Sequence, residues 1–176
     1  MTAAEFKALT SDNLLEPDPL STAFANVCDG TTDELRAMNR DEFLSYIFEP
    51  RVSDVVPTDI RSLFEAGRAA MCYGYFFYPL FMLGVERACS AGEAAVHYRA
   101  RQLGAKSRAT FAEHVDFLVG KDAVSREELV RWDAIRSMRN QAVHPKFQQV
   151  MPPGPCVALV PTIADAINRL FDSTAI

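Results

Sequence analysis

The chain has 176 residues, 49% of them hydrophobic and 23% charged, with a formal net charge of −5. This length fits one domain with a sizeable core rather than two, and the composition is far from that of a disordered chain. The acidic balance argues against a protein that coats long nucleic acid, because such binding comes mainly from neutralising phosphates; it leaves room for a short, local RNA contact. Residues 1–58 carry 4 basic and 11 acidic side chains, net −7, whereas residues 59–176 carry 14 and 12, net +2.

Residues Met1 to Lys7 lack the basic start and apolar middle of a secretory signal, so a cytoplasmic protein is expected. The most apolar stretch, Met71 to Val85, contains two glycines and a proline and is shorter than the roughly 20 residues that span a bilayer; it reads as a buried helix, and no membrane association is expected. Cys28, Cys72, Cys89 and Cys156 show no C-x-x-C spacing and read as buried thiols.

Turn and breaker residues crowd the first thirty positions (Ser11-Asp12-Asn13, Glu16-Pro17-Asp18-Pro19, Cys28-Asp29-Gly30), which predicts an irregular N-terminal arm. Thr32 is a candidate cap for a helix starting at Asp33, and Leu35, Met38, Phe43, Leu44, Ile47 and Phe48 suggest one or two short helical pieces before Pro50. Residues 1–58 are therefore expected to form an acidic arm with short helices, and residues 59–176 a helical bundle.

Asp59 is a plausible N-cap for a long helix marked by Leu63, Phe64, Gly67, Ala70, Met71 and Gly74. Pro79 is expected to kink or break it, after which a helical pattern continues towards Leu103. Gly67, Gly74 and Gly84 are small enough to let a neighbouring helix come close. A further helix is predicted from Thr110 to Val119, ending at Gly120, and Ser125-Arg126-Glu127-Glu128 forms a capping box for the next. Leu129, Trp132, Ile135, Met138, Ala142 and Val143 make its core stripe, and Pro145 ends it. Residues 152–155 are expected to be a stiff loop, with a short final helix after Pro161. The predicted fold class is all-α, a bundle built on a long helix hairpin.

No zinc motif, phosphate-binding glycine loop or nucleophile elbow is present, so no cofactor and no metal are expected. His97 and His114 lie within helical patterns among charged neighbours and read as solvated or satisfied structural side chains. His144 differs. It closes a helix before Pro145, where a cationic imidazole interacts favourably with the helix dipole, and Arg136 and Asn140 share its face at successive four-residue steps. Arg139 lies about 140° from His144 at roughly 100° per residue.

Arg139-Asn140-Gln141-Ala142-Val143-His144, at the end of an amphipathic helix, resembles the R-x(4–6)-H signature of HEPN domains. The resemblance extends over the preceding helix pair and the final helix, and leaves out residues 1–58. It implies a helical bundle that pairs as a homodimer and acts as a metal-independent endoribonuclease, with a composite site made from the motif helices of two protomers. Arg139 and His144 would then be the catalytic pair and Asn140 an orienting residue. Histidine suits removal of the 2′-OH proton, and the guanidinium fork suits charge on the phosphorane. Glu86 is a candidate to orient Arg139 or His144, and Arg136 and Lys146 are candidates to contact RNA phosphate. Such a protein would be toxin-like or defence-associated and restrained by an inhibitory protein partner. The alternative is a HEPN-like binding or scaffold domain in which the motif is a helix-end cap.

Overall fold

The computed structural model describes residues 7–24, 26–28, 35–143 and 153–172. Its elements run α1 (Pro19–Phe24), β1 (Asn26–Cys28), β2 (Leu35–Ala37), α2 (Arg40–Phe48), α3 (Thr58–Tyr73), α4 (Tyr78–Gln102), α5 (Phe111–Val119), α6 (Leu129–Val143) and α7 (Pro153–Phe171). The fold is an all-α bundle built on the α3–α4 hairpin, with one short antiparallel ribbon pairing Asn26 with Ala37 and Cys28 with Leu35. Among the described residues no helix is long and apolar enough to cross a membrane.

Glycine brings the two long helices together. A Cβ on Gly67 would lie 2.7 Å from Ala88 N, and one on Gly84 would lie 2.7 Å from Gly67 O. Backbone therefore meets backbone at this crossing, as the small residues led us to expect. The break expected before Leu80 is present, and it lies just ahead of the proline: the chain leaves α3 at Tyr73, turns, and starts α4 at Tyr78 with Pro79 in its first turn. There its missing N–H would have had no helical partner in any case. Asp59 likewise stands in the first turn of α3 instead of capping it; Pro57 holds the N-cap position without a side-chain bond.

The segment expected to be an arm is stitched to the bundle. Leu35–Ala37 is strand rather than helix, and Asn39, not Thr32, caps the helix that follows, in a capping box with Glu42; Thr32 and Asp33 lie outside the described residues. Phe43 and Ile47 of α2 are buried in the same core as Phe64, Phe81 and Trp132. Arg68, buried on α3, donates to the carbonyls of Phe48 (3.0 Å) and Pro50 (2.6 Å) and pairs with Glu65 (2.7 Å). It thereby satisfies acceptors that the end of α2 leaves open. Asn168 of α7 accepts from Ser53 N and donates to Arg51 O, fastening the α2–α3 linker.

The final helix is longer than the sequence suggests. Pro153, Gly154 and Pro155, expected in a loop, form the start of α7, and Pro161 lies inside it. Prolines in a first turn forfeit no helical bond, and Pro161 faces outward while Ile163, Ala166, Ile167 and Leu170 face the core. Cys72 and Cys89 are buried free thiols, and burial pushes the Cys72 thiol up to about 11. The side chains of Cys28 and Cys156 lie outside the described residues.

Candidate functional site

The helix carrying the motif is set by its start and by one close contact. Ser125 N donates to Glu128 Oε2 at 2.8 Å and Glu128 N to Ser125 Oγ at 3.3 Å, the reciprocal capping box read from the sequence. Trp132 and Ile135 are buried, and their side chains lie against Gly92 of α4, where an added Cβ would sit 3.5 Å from each. One residue beyond Gly92 is Glu93, and one turn beyond Ile135 is Arg139. These two meet at the rim of the α4–α6 contact, Arg139 Nη2 to Glu93 Oε2 at 3.5 Å.

Arg139, Glu93, Cys89, Phe111, Ile135 and Arg136 line a small cleft of about 30 Å³. Arg136 pairs on its own helix with Asp133 at 3.1 Å. Asn140 is exposed one residue past Arg139, so Arg139 points to α4 while Asn140 points to solvent. His144 and Lys146 lie outside the described residues. The carboxylate that meets Arg139 is thus Glu93 and not Glu86. The two are seven residues apart, hence on the same face of α4 but two turns distant along it.

Two further side chains, which the sequence marks as solvated or satisfied structural histidines, join this contact. His114, on α5, is 1% exposed, and its Nε2 lies 2.9 Å from the carbonyl oxygen of Lys106. Its Nδ1 bonds Nδ1 of His97 on α4, with the rings near perpendicular at 82°. Nε2 of His97 in turn lies 3.6 Å from Glu93 Oε1. Glu93 therefore stands between Arg139 on one oxygen and His97 on the other, and polar contacts run unbroken from α6 through α4 to α5. Phe111 sets an edge-on ring contact against both His97 and Trp132.

The position of α5 follows from local sequence. Thr110 and Glu113 form its capping box, and the bonds from Thr110 N (2.6 Å) and Thr110 Oγ1 (2.8 Å) hold the Glu113 carboxyl below the usual carboxylate range. Helical phase then places His114 inward at the same level as Val115 and Leu118. Among the described residues no group of three or more His, Cys, Asp or Glu side chains is placed to hold a metal ion. Compared with family models, curated proteins and solved structures, the chain has no match.

Proposed function

We propose that the chain is a HEPN-like, metal-independent endoribonuclease that works as a homodimer. The observation that carries this reading is the Arg139–Glu93 pair: the motif arginine stands at the mouth of a cleft, part-exposed, with a carboxylate to orient it. In this reading His144 takes the proton from the RNA 2′-OH and Arg139 neutralises the phosphorane. Asn140 orients the histidine, and Arg136 and Lys146 contact flanking phosphates. Arg139 and His144 lie about 140° apart on one helix at roughly 100° per residue. A two-fold axis beside α6 relieves this separation, since the arginine of one copy then faces the histidine of the other. An unrestrained ribonuclease harms its own cell, which fits a toxin-like or defence-associated role with an inhibitory protein partner. The test is incubation of purified protein with mixed RNA in EDTA, beside His144→Ala; intact RNA after both incubations counts against the reading.

A second reading keeps the fold and the pairing but not the chemistry. The net charge of −5 weakens attraction to RNA, and Glu93 already neutralises Arg139. A dimeric binding or scaffold domain would bind a protein partner through the same face and leave every RNA uncut.

A further inference from the structure

His97 and His114 play no part in the proposed reaction, yet they are joined to the motif arginine. The direction of each proton follows from the partners. A carbonyl oxygen only accepts, so His114 donates to Lys106 O through Nε2, and a neutral His114 then presents a lone pair at Nδ1. With His114 neutral, His97 is the donor across that contact, through its own Nδ1. With that proton committed, the proton that makes His97 a cation can sit only on Nε2. Nε2 is the atom facing Glu93, 3.6 Å from Oε1.

We infer that His97 is a positioning residue for Arg139, acting through Glu93. The carboxylate has a permanent cation on one side and, on the other, a ring that is cationic or neutral according to one proton. Protonated His97 draws charge from Glu93 towards the α4–α5 contact and loosens its hold on Arg139. Neutral His97 turns a lone pair to the carboxylate, which is left to bind the guanidinium against α4. A proton taken up between α4 and α5 thus loosens the carboxylate that orients the arginine on α6, and with it the arginine's engagement of an anionic ligand such as a phosphodiester.

The other charged groups around the pair do not replace this route. From α6, Arg136 lines the same cleft but is paired with Asp133. On the α5 side, Glu113 is committed to Thr110, and the Lys106 contact to His114 is made by its carbonyl. Arg101, one turn along α4 from His97, is exposed.

The consequence for RNA cleavage rests on the function proposed above, but the coupling itself does not, and the experiment separates them. The midpoint of the His97 ring titration is measured by NMR in the full chain and in two variants, with His97→Gln used for assignment. Removing the competing cation with Arg139→Gln should move the His97 midpoint up, and removing the shared anion with Glu93→Gln should move it down, each by about 0.3 unit or more. Opposite shifts show that the three groups share one electrostatic site. The positioning role is read from Arg139 itself, whose Nε–H resonance should move with the His97 titration in the wild-type chain and not in His97→Gln; an Arg139 resonance that ignores the His97 titration also overturns the inference. A midpoint unmoved by Arg139→Gln, or moved in the same direction by both variants, overturns the inference whether or not the protein cuts RNA. Failure of the wild-type chain to cut RNA overturns the ribonuclease reading and leaves the titration result standing.

Discussion

Asp18 caps the helix that carries Glu93 and His97: its Oδ2 accepts the N–H of Tyr78, the first residue of α4, at 2.9 Å. The same residue accepts from Leu20 N through Oδ1 and donates its own N–H to Tyr75 O, while Ser21 Oγ donates to Gly74 O at 2.6 Å. A stretch rich in turn residues and without apolar periodicity thus satisfies the Tyr78 N–H and the Gly74 and Tyr75 carbonyls at the α3–α4 turn, where helix-end groups need partners from outside the helix.

Asp18→Ala should therefore destabilise the protein by about 2 kcal/mol, since the buried N–H of Tyr78 and the part-buried N–H of Leu20 lose their acceptor. Asp18→Asn, which keeps an acceptor oxygen, should cost less. Urea unfolding measures both. A loss under about 0.5 kcal/mol for the alanine variant would show that the turn holds without its cap.

At the crossing of α3 and α4, Gly67→Ala should cost about 2–3 kcal/mol. The new methyl would stand 2.7 Å from Ala88 N and 2.9 Å from Gly84 O, backbone atoms that cannot swing aside. Gly92→Ala is the control, because its Cβ would meet only side-chain atoms at 3.5 Å and beyond. Thermal melts should therefore place Gly67→Ala well below Gly92→Ala; equal midpoints would contradict the tight crossing.

Those glycines were legible in the sequence, and so was the capping box at Ser125, because each depends on residues within one helix or on size alone. The partners across helices were not. Glu86 and Glu93 share a face of α4, so helical phase cannot choose between them, and only the level at which Gly92 admits Trp132 and Ile135 decides for Glu93. His97 and His114 belong to different helices, and no spacing rule within either predicts that their rings meet. The start of α7 at Pro153 was hidden because prolines that break a helix interior are harmless in a first turn.

Acid should expose the ion pair that anchors the start of α2. The Arg36 guanidinium, and then the Asn39 backbone N–H, lower the Glu42 carboxyl to about 2. A folded value below the unfolded one, about 4.3, means that the carboxylate stabilises the fold above that pH and that the contribution is lost as pH falls towards 2. Wild type should therefore be more stable than Glu42→Gln at pH 6, with the gap closing between about pH 4.3 and 2. Because the pair is exposed, added salt should narrow the gap at pH 6. A gap that is constant with pH would assign the effect of the variant to something other than ionisation.

The motif makes the most specific prediction. If the chain cleaves RNA, the chemistry comes from side chains on α6 and just beyond it, so EDTA should leave the rate unchanged. His144→Ala should abolish cleavage while costing at most about 1–2 kcal/mol of stability, the most that a cation at a helix end contributes through the dipole. Arg139→Lys should also abolish most activity, because an ammonium cannot make the two-pronged contact of a guanidinium with phosphate. Glu93→Gln separates orientation from chemistry. It keeps the shape of the α4–α6 contact but weakens the hold on Arg139, so cleavage should fall but persist, by about 10-fold to 100-fold if orientation is worth one to two hydrogen bonds. Mixing inactive His144→Ala with inactive Arg139→Lys should restore part of the activity, because in a composite site one of the two pockets in each mixed dimer then holds an intact arginine and an intact histidine. Failure of that mixture, with exchange of subunits verified, would place both residues of each site on one chain. A His144→Ala variant that cleaves as fast as its parent would remove the ribonuclease reading and leave the binding domain in its place.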